Sequence, residues 1–259
     1  MPFLEAGGFR MHYTLGGAAG APAVVMSNSL GTNLSMWDPQ APEVAKRFRV
    51  LRYDTRGHGQ TSVTPGPYSV EQLAHDVTRL LDALKLERVH FCGLSLGGLT
   101  GMWLGVHAGH RLHRLVLCNT AAKIGTAETW NTRIESVHRD GMKVIAAAAI
   151  ERWFTPEFRA GSPGLVAVAQ QMLENTPPEG YAGCCAAVRD FDFREALSAI
   201  RVSTLVVSGA RDPATPPADG RFLAERIAGA QYVELPTSHL SNFQAPAEFT
   251  SALLRFLSP

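Results

Sequence analysis

The sequence predicts an α/β fold with a mostly parallel central sheet, and three observations lead to this prediction. Short runs of β-branched and apolar residues alternate with longer segments of helical period along most of the chain. The later runs are apolar throughout, which is typical of strands buried on both faces of a parallel sheet. The length of 259 residues and the hydrophobic content of 46% are sufficient for a full buried core.

The strand candidates are separated by segments in which apolar residues follow helical spacing. The predicted strands span residues 9–15, 23–27, 49–54, 88–93, 114–119, 203–209 and 231–236. Apolar stripes mark one helix from Val70 to Leu84 and another from Phe249 to Leu257. We expect such helices to cover the two faces of the sheet.

The alternation of strands and helices stops between residues 120 and 198. This stretch contains helix-forming segments punctuated by TPEF, GSPG and TPPEG, and it has no convincing strand. It predicts a helical cap of residues 120–198, inserted into a core formed by residues 1–119 and 199–259.

Composition argues against several classes of partner. The chain has 24 Lys and Arg against 23 Asp and Glu, and no basic run, so we expect no nucleic-acid partner. Its most apolar stretch, VIAAAAI at 144–150, is far shorter than the roughly 18 residues of a membrane span. The N-terminal segment lacks the pattern of a secretory signal. We therefore expect a cytoplasmic protein without a membrane partner.

The four cysteines are Cys92, Cys118, Cys184 and Cys185. They show neither metal-ligand spacing nor a disulfide-rich pattern, and they are predicted to be reduced packing residues. No metal or organic cofactor is predicted. The sequence does not indicate the oligomeric state, or any role for the neighbouring Cys184 and Cys185.

The segment HFCGLSLGG contains the motif G-x-S-x-G at residues 93–97, between a predicted strand and a helix-forming segment. In that context the motif forms a sharp strand-to-helix turn that presents Ser95 as a nucleophile. Its glycines remove Cβ atoms that would collide. The N–H of Leu96 opens the helix and is predicted to stabilise an oxyanion. The alternative is a Gly-rich turn with an ordinary capping serine.

A serine hydroxyl becomes nucleophilic when a histidine removes its proton and a carboxylate orients the histidine. Asp212 and His239 follow the last two predicted strands, in the chain order Ser, Asp, His that accompanies this motif. Either one taken alone is compatible with an ordinary loop residue, but together they predict a triad with Ser95. None of the competing histidines follows a late strand in a comparable loop; they are His58, His75, His90, His107, His110, His113 and His138.

A second oxyanion donor is expected from the loop after an earlier strand. The strand at 23–27 is followed by a sharp turn through residues 28–31, where the N–H of Leu30 is the predicted donor. A plain turn is the alternative, and it is compatible with this role.

Eight segments spread over nearly the whole chain carry a resemblance to a known family. They are SNSLGTNLSMWDPQ, LRYDTRGHGQTS, GPYSVEQLAHDV, HFCGLSLGG, GMWLGVHA, LVLCNTAAKIGTAETWNTRI, GYAGCCAAVRDFD and TSHLSNFQAPAEFT. Together they resemble 3-oxoadipate enol-lactonases, which are α/β-hydrolases of bacterial aromatic catabolism. The strand-to-helix turn around Ser95 and DTRGHGQTS are shared with many α/β-hydrolases. The more specific segments are SNSLGTNLSMWDPQ, GTAETWNTRI and GYAGCCAAVRD. Leu96 stands where methionine is frequent, which leaves the backbone donor intact.

The resemblance implies that a small lactone, 3-oxoadipate enol-lactone, is hydrolysed without a cofactor. Ser95 would attack the ring carbonyl, His239 would take the serine proton and Asp212 would orient the histidine. Two alternatives stay open, because a triad defines the reaction better than the substrate. One is another small-ester esterase or a cofactor-free haloperoxidase, and the other is a ligand-binding sensor.

The enol-lactone carries a free carboxylate, which requires a cation or several donors when it is removed from water. Arg133 is the predicted partner, because guanidinium holds a carboxylate with two parallel hydrogen bonds. Trp130 precedes Arg133 by three residues and shares its helix face, and Trp153 is predicted to line the same pocket. The alternatives are that Arg133 is a solvated cap residue or that Arg189 binds the carboxylate.

Overall fold

One eight-stranded sheet organises the part of the chain that this computed structural model describes, residues 2–5 and 8–258. The strands lie in the order β1-β2-β4-β3-β5-β6-β7-β8. They are β1 (Phe3–Glu5), β2 (Arg10–Gly16), β3 (Ala23–Ser27), β4 (Arg49–Tyr53), β5 (Val89–Leu94), β6 (Leu112–Cys118), β7 (Thr204–Gly209) and β8 (Gln231–Leu235). The α/β fold with a mostly parallel sheet is therefore confirmed.

Seven of these strands match the predicted ones to within two residues at each end. The sequence missed β1, which has only three residues and pairs antiparallel with β2 at the edge of the sheet. β2 also pairs antiparallel with β4, whereas the other neighbours are parallel. An antiparallel edge on a parallel sheet is common in large α/β folds.

Helices pack against this sheet and account for most of the remaining regular structure. Outside the predicted cap they are α1 (Ala41–Val44), α2 (Val70–Ala83), α3 (Leu96–His107), α9 (Pro217–Arg226), α10 (Ser241–Gln244) and α11 (Pro246–Leu257). Short 3₁₀ helices lie at Leu34–Trp37, Gly109–Arg111 and Leu197–Ala199. Every residue of β3, β5 and β7 is buried. Because side chains alternate between the two faces of a strand, both faces of the sheet are covered.

Five helices with no intervening strand connect β6 to β7 in the described chain. They are α4 (Ala127–Asp140), α5 (Met142–Trp153), α6 (Pro156–Gly161), α7 (Pro163–Glu174) and α8 (Pro178–Asp190). α4 packs against α5 and α8, and α5 packs against α7. No helix among the described residues combines the length and the apolar character needed to span a membrane.

The parallel strands bring distant parts of the chain together at one edge of the sheet, the edge formed by the carboxyl ends of the strands. Ser95 follows β5 directly, and Asn119 follows β6 directly. Asp212 and His239 lie in the loops after β7 and β8. Ligand sites of open parallel sheets form at the carboxyl ends of their strands, and these four side chains lie at that edge.

Candidate active site

Ser95 lies at the turn between β5 and α3 in a backbone conformation that is rare for a residue with a side chain. Its φ is 54° and its ψ is −110°. The Ser95 N–H donates to the carbonyl of Cys118 at 2.9 Å, and the hydroxyl of Thr120 donates to the Ser95 carbonyl at 2.9 Å. The end of β6 thus holds both sides of this strained residue, as is common at functional sites.

The glycines around Ser95 permit close backbone contacts. A Cβ on Gly93 would lie 2.1 Å from the carbonyl oxygen of Gly97, and a Cβ on Gly97 would lie 2.3 Å from the carbonyl oxygen of Ser27. Both distances are far below van der Waals contact, so no larger residue fits without moving the backbone. The G-x-S-x-G spacing therefore follows from the packing of this turn.

The carboxylate of Asp212 is buried and accepts hydrogen bonds from several donors. Oδ2 lies 2.8 Å from Nδ1 of His239, 2.7 Å from the Thr215 hydroxyl and 3.0 Å from the Asn119 side-chain amide. Oδ1 accepts from the backbone N–H groups of Ala214 at 2.8 Å and Thr215 at 3.1 Å. The carboxylate is held in one orientation against the histidine ring.

The environment of Asp212 favours its ionised form. Burial by itself raises the pKa of this carboxyl, but the neighbouring His239 and the hydrogen bonds from His239, Asn119 and Thr215 together bring the pKa below its ordinary value. An ionised Asp212 accepts the Nδ1–H of His239, which leaves Nε2 as the basic nitrogen of the ring.

Asn119 joins the loops that carry Asp212 and His239. Its amide nitrogen donates to Asp212 and, at 3.2 Å, to the carbonyl of Ser238. Its amide oxygen accepts from the Ser241 hydroxyl at 2.5 Å. Sequence reasoning missed this residue. The available signal was its position directly after a buried strand, where Ser95 also lies.

The predicted oxyanion donors lie on two segments that a hydrogen bond connects. The N–H of Gly97 donates to the carbonyl of Asn28 at 3.0 Å, which joins the start of α3 to the loop after β3. That loop forms a turn in which the Thr32 N–H donates to the Ser29 carbonyl at 3.2 Å. Within the described chain, the N–H groups of Leu30 and Leu96 donate to no protein acceptor. Both amides are therefore available to an anion.

His58 forms a hydrogen bond with the loop after β3, which carries Leu30. Its Nε2 accepts the N–H of Gly31 at 3.0 Å, and its Nδ1 lies 3.2 Å from the carbonyl of Arg56. The ring is fully buried, and burial lowers the pKa of His58 to about 4, so it is neutral near pH 7. A neutral ring with Nδ1–H donating and Nε2 accepting satisfies both contacts. His58 thus orients a loop and does not line the cavity.

A cavity of about 220 Å³ lies between this edge of the sheet and the helices α4, α5 and α8. The predicted residues that line it are Ser95, His239, Leu30, Trp130, Arg133 and Trp153. Other lining residues are Ser29, Ile124, Gly125, Thr129, Ala149, Arg152, Tyr181, Val188, Pro213 and Ala214. Asp212 and Leu96 do not line it; Asp212 contacts His239, and Leu96 directly follows Ser95 at the start of α3.

The wall formed by the helices is cationic. The guanidinium of Arg133 lies over the ring of Trp130 at 4.6 Å, as expected from their spacing on one helix. Arg152 lines the same wall, and neither arginine has an ion-pair partner among the described residues. Burial, followed by repulsion from Arg133, lowers the pKa of Arg152. Burial raises the pKa of the nearby Tyr181, and the two arginines oppose this effect.

Arg189, the alternative partner for a carboxylate, lies outside this cavity. Its guanidinium donates to Asp190 at 2.7 Å and to Asn131 at 2.9 Å near the protein surface. Sequence reasoning missed Arg152 and Tyr181. Arg152 directly precedes the predicted Trp153, but only the packing of α5 against α4 indicates that the two arginines share one wall.

All four cysteines are buried free thiols. Burial, with repulsion from Cys185 next in size, raises the pKa of Cys184, and burial raises the pKa of Cys185 to about 12. Both therefore remain protonated near pH 7 and behave as packing residues. In the described part of the chain, no cluster of three His, Cys, Asp or Glu residues is arranged to hold a metal ion.

Comparison with known proteins gives consistent results. The family model for the alpha/beta hydrolase fold matches residues 22–246. Two enzymes of Acinetobacter baylyi are similar over nearly the whole chain: 3-oxoadipate enol-lactonase 2 is 44% identical, covering 96% of this chain and 94% of the relative, and 3-oxoadipate enol-lactonase 1 is 40% identical, covering 94% and 91%. The crystal structure of an enol-lactonase from Burkholderia xenovorans LB400 superimposes over 100% of both chains, with a TM-score of 0.98 and 46% identity.

Proposed function

The chain belongs to the alpha/beta hydrolase family, and on that premise we propose that it hydrolyses 3-oxoadipate enol-lactone to 3-oxoadipate. The observation that carries this proposal is the composition of the cavity. Ser95 and His239 lie on its core side. Arg133 and Arg152 lie on its cap side, where no carboxylate of the described residues pairs with either. A small ester that carries a carboxylate matches both sides.

The first half of the reaction opens the ring. The Oγ of Ser95 attacks the lactone carbonyl while Nε2 of His239 takes the serine proton. The tetrahedral intermediate collapses with cleavage of the bond to the ring oxygen, which leaves as an enol after receiving the proton from His239. The enol then tautomerises to the ketone, and the acyl group remains on Ser95.

The second half releases the acid. His239 removes a proton from water as the water attacks the acyl carbon, and the bond to Oγ of Ser95 then breaks as Oγ regains a proton. In both halves the oxyanion is held by the N–H groups of Leu30 and Leu96. Removing a single donor of this kind costs about 10²–10³ in kcat in a serine protease. Asp212 stabilises the imidazolium that forms twice in the cycle.

The cap selects the substrate in this proposal. Residues 120–198 form the cap over the core of residues 1–119 and 199–259, and Arg133 binds the substrate carboxylate. Trp130 and Trp153 are the apolar walls that face the ring. We also propose a cytoplasmic location, for which the four free thiols are suitable because thiols stay reduced there.

The decisive experiment measures turnover of the enol-lactone and of p-nitrophenyl acetate by the wild type and by Ser95→Ala. We expect efficient turnover of the lactone, weaker turnover of the neutral ester, and loss of both in the variant with unchanged thermal unfolding. Efficient turnover of the ester alone would favour a general esterase. Lactone binding without turnover of either compound would favour a sensor.

A further inference from the structure

We propose that the cavity is also a binding site for linear dicarboxylates, with one carboxylate held by Arg133 and Arg152 and the other by the N–H groups of Leu30 and Leu96. The reaction product is such a dianion, so it inhibits the enzyme competitively. This inference rests on the proposed function and adds to it the chemical class of compounds that inhibit the enzyme.

The cap end of the cavity is positively charged. Arg133 and Arg152 both line it, and no carboxylate of the described residues pairs with either. Burial lowers the pKa of Arg152, repulsion from Arg133 lowers it further, and the weaker contributions of Tyr181 and Glu151 oppose both. A bound carboxylate between the two guanidinium groups relieves this repulsion, and each group supplies charge-assisted hydrogen bonds.

The core end supplies a second anion site. The N–H groups of Leu30 and Leu96 have no protein acceptor in the described ranges, and the second one begins helix α3, whose N-terminus favours negative charge. Ser95 and His239 line the cavity beside these donors.

The chemistry of the reaction connects the two ends. The lactone enters with one carboxylate, and its ester carbonyl occupies the core end as a neutral group. Hydrolysis breaks the acyl bond to Oγ of Ser95 and adds the oxygen of water to the acyl carbon. The new carboxylic acid then loses its proton and becomes a carboxylate at the amides that held the oxyanion. The product therefore places a carboxylate at each of the two anion sites, whereas the ground-state substrate places a carboxylate only at the cap end.

The test compares adipate with hexanoate as inhibitors of p-nitrophenyl acetate hydrolysis, with ionic strength held constant by sodium chloride. The two compounds have the same number of carbons and differ by one carboxylate. We expect both to compete with the ester and adipate to have an inhibition constant at least about tenfold lower, equivalent to ~1.4 kcal/mol. In Arg152→Met and in Arg133→Met this preference is expected to disappear. Arg152→Lys should retain part of it.

Arg189→Met is the matched control, because it removes a cap arginine that pairs at the surface and does not line the cavity. It should keep the preference for adipate. Calorimetric titration of adipate into Ser95→Ala measures binding without turnover and applies even if the neutral ester is a poor substrate. Equal affinity for adipate and hexanoate, or a preference that survives in both Arg133→Met and Arg152→Met, would overturn the proposal. Failure of lactone turnover would instead overturn the proposed function, since neither measurement uses the lactone.

Discussion

At the scale of single residues, Asp212 is the most constrained side chain of the candidate site. It accepts hydrogen bonds from two backbone amides and three side chains, and it is almost fully buried. This arrangement has two consequences: the carboxyl stays ionised, and His239 is held in the tautomer with a basic Nε2. His239 therefore contacts Asp212 through Nδ1, and both His239 and Ser95 line the cavity.

The variant Asp212→Asn tests this role. An amide has nearly the same shape, but it no longer enforces the tautomer with Nδ1–H of His239, so we expect kcat for p-nitrophenyl acetate to fall by roughly 10⁴. Asp219→Asn is the matched control. Asp219 lies close enough to Asp212 for the two charges to interact, and burial followed by this repulsion raises the pKa of Asp219. Its variant should change kcat by no more than a few-fold, and a similarly small change in Asp212→Asn would exclude Asp212 as the orienting group.

At the scale of structural elements, the loop after β3 depends on a contact with another loop. Gly31 has a φ of 78°, and its N–H is held by the buried ring of His58. The Thr176 hydroxyl, between α7 and α8, lies 3.3 Å from the Gly31 carbonyl oxygen. The conformation of the turn that carries Leu30 is thus held by residues that do not line the cavity.

The variant His58→Phe tests this dependence. It keeps a buried ring but leaves the Gly31 N–H without an acceptor, so the turn that aims the Leu30 N–H is expected to shift. We predict a fall in kcat of about 10²–10³, the effect of losing one oxyanion donor, with little change in KM. His58→Gln offers a side-chain carbonyl as acceptor and should recover part of the activity.

The matched control for this prediction is His90→Phe, which replaces another buried histidine near the amino end of β5, away from the cavity. It should retain the wild-type kcat. Steady-state kinetics on p-nitrophenyl acetate distinguish the two variants. Equal losses in both would indicate that removing a buried histidine disturbs the fold in general.

At the scale of the whole molecule, the same two histidines make stability depend on pH. Burial lowers the pKa of both His58 and His90 to about 4, with smaller contributions from neighbouring groups, compared with 6.5 for the unfolded chain. Between these values the unfolded state binds protons that the native state does not. The free energy of unfolding therefore falls as the pH is lowered from 6.5 towards 4.

We predict a slope of up to about 1.4 kcal/mol per pH unit for each histidine in this window. Urea unfolding at pH 7, 6 and 5 measures it, and His90→Phe should remove about half of the combined slope. Asp212 does not contribute there, because its lowered pKa makes its stabilisation disappear only when the pH falls below about 4. A pH-independent free energy of unfolding between pH 7 and 5 would contradict this account.

The sequence by itself determined those features that follow from local patterns. Apolar runs and helical spacing located seven strands and the two helices α2 and α11, because burial on both faces makes a strand apolar throughout and burial on one face gives a helix an apolar stripe. The motif around Ser95 could also be recognised from the sequence. Its glycines are required by close backbone contacts within the turn and with the neighbouring strand. Asp212 and His239 were found through their chain order and their positions after strands, which a parallel sheet converts into proximity.

Only the tertiary structure decided which further side chains lie at the candidate site with Ser95, Asp212 and His239. The local sequence around Arg152, Tyr181, Asn119 and His58 does not show which groups their side chains contact. Their contacts join segments that are not neighbours in the sequence, such as α8 with α4, or the loop after β4 with the loop after β3. The edge strand β1 was missed because three residues that are mostly exposed show no period of burial. Local periodicity records which face of an element is buried, but the partner against which it is buried depends on how the elements pack.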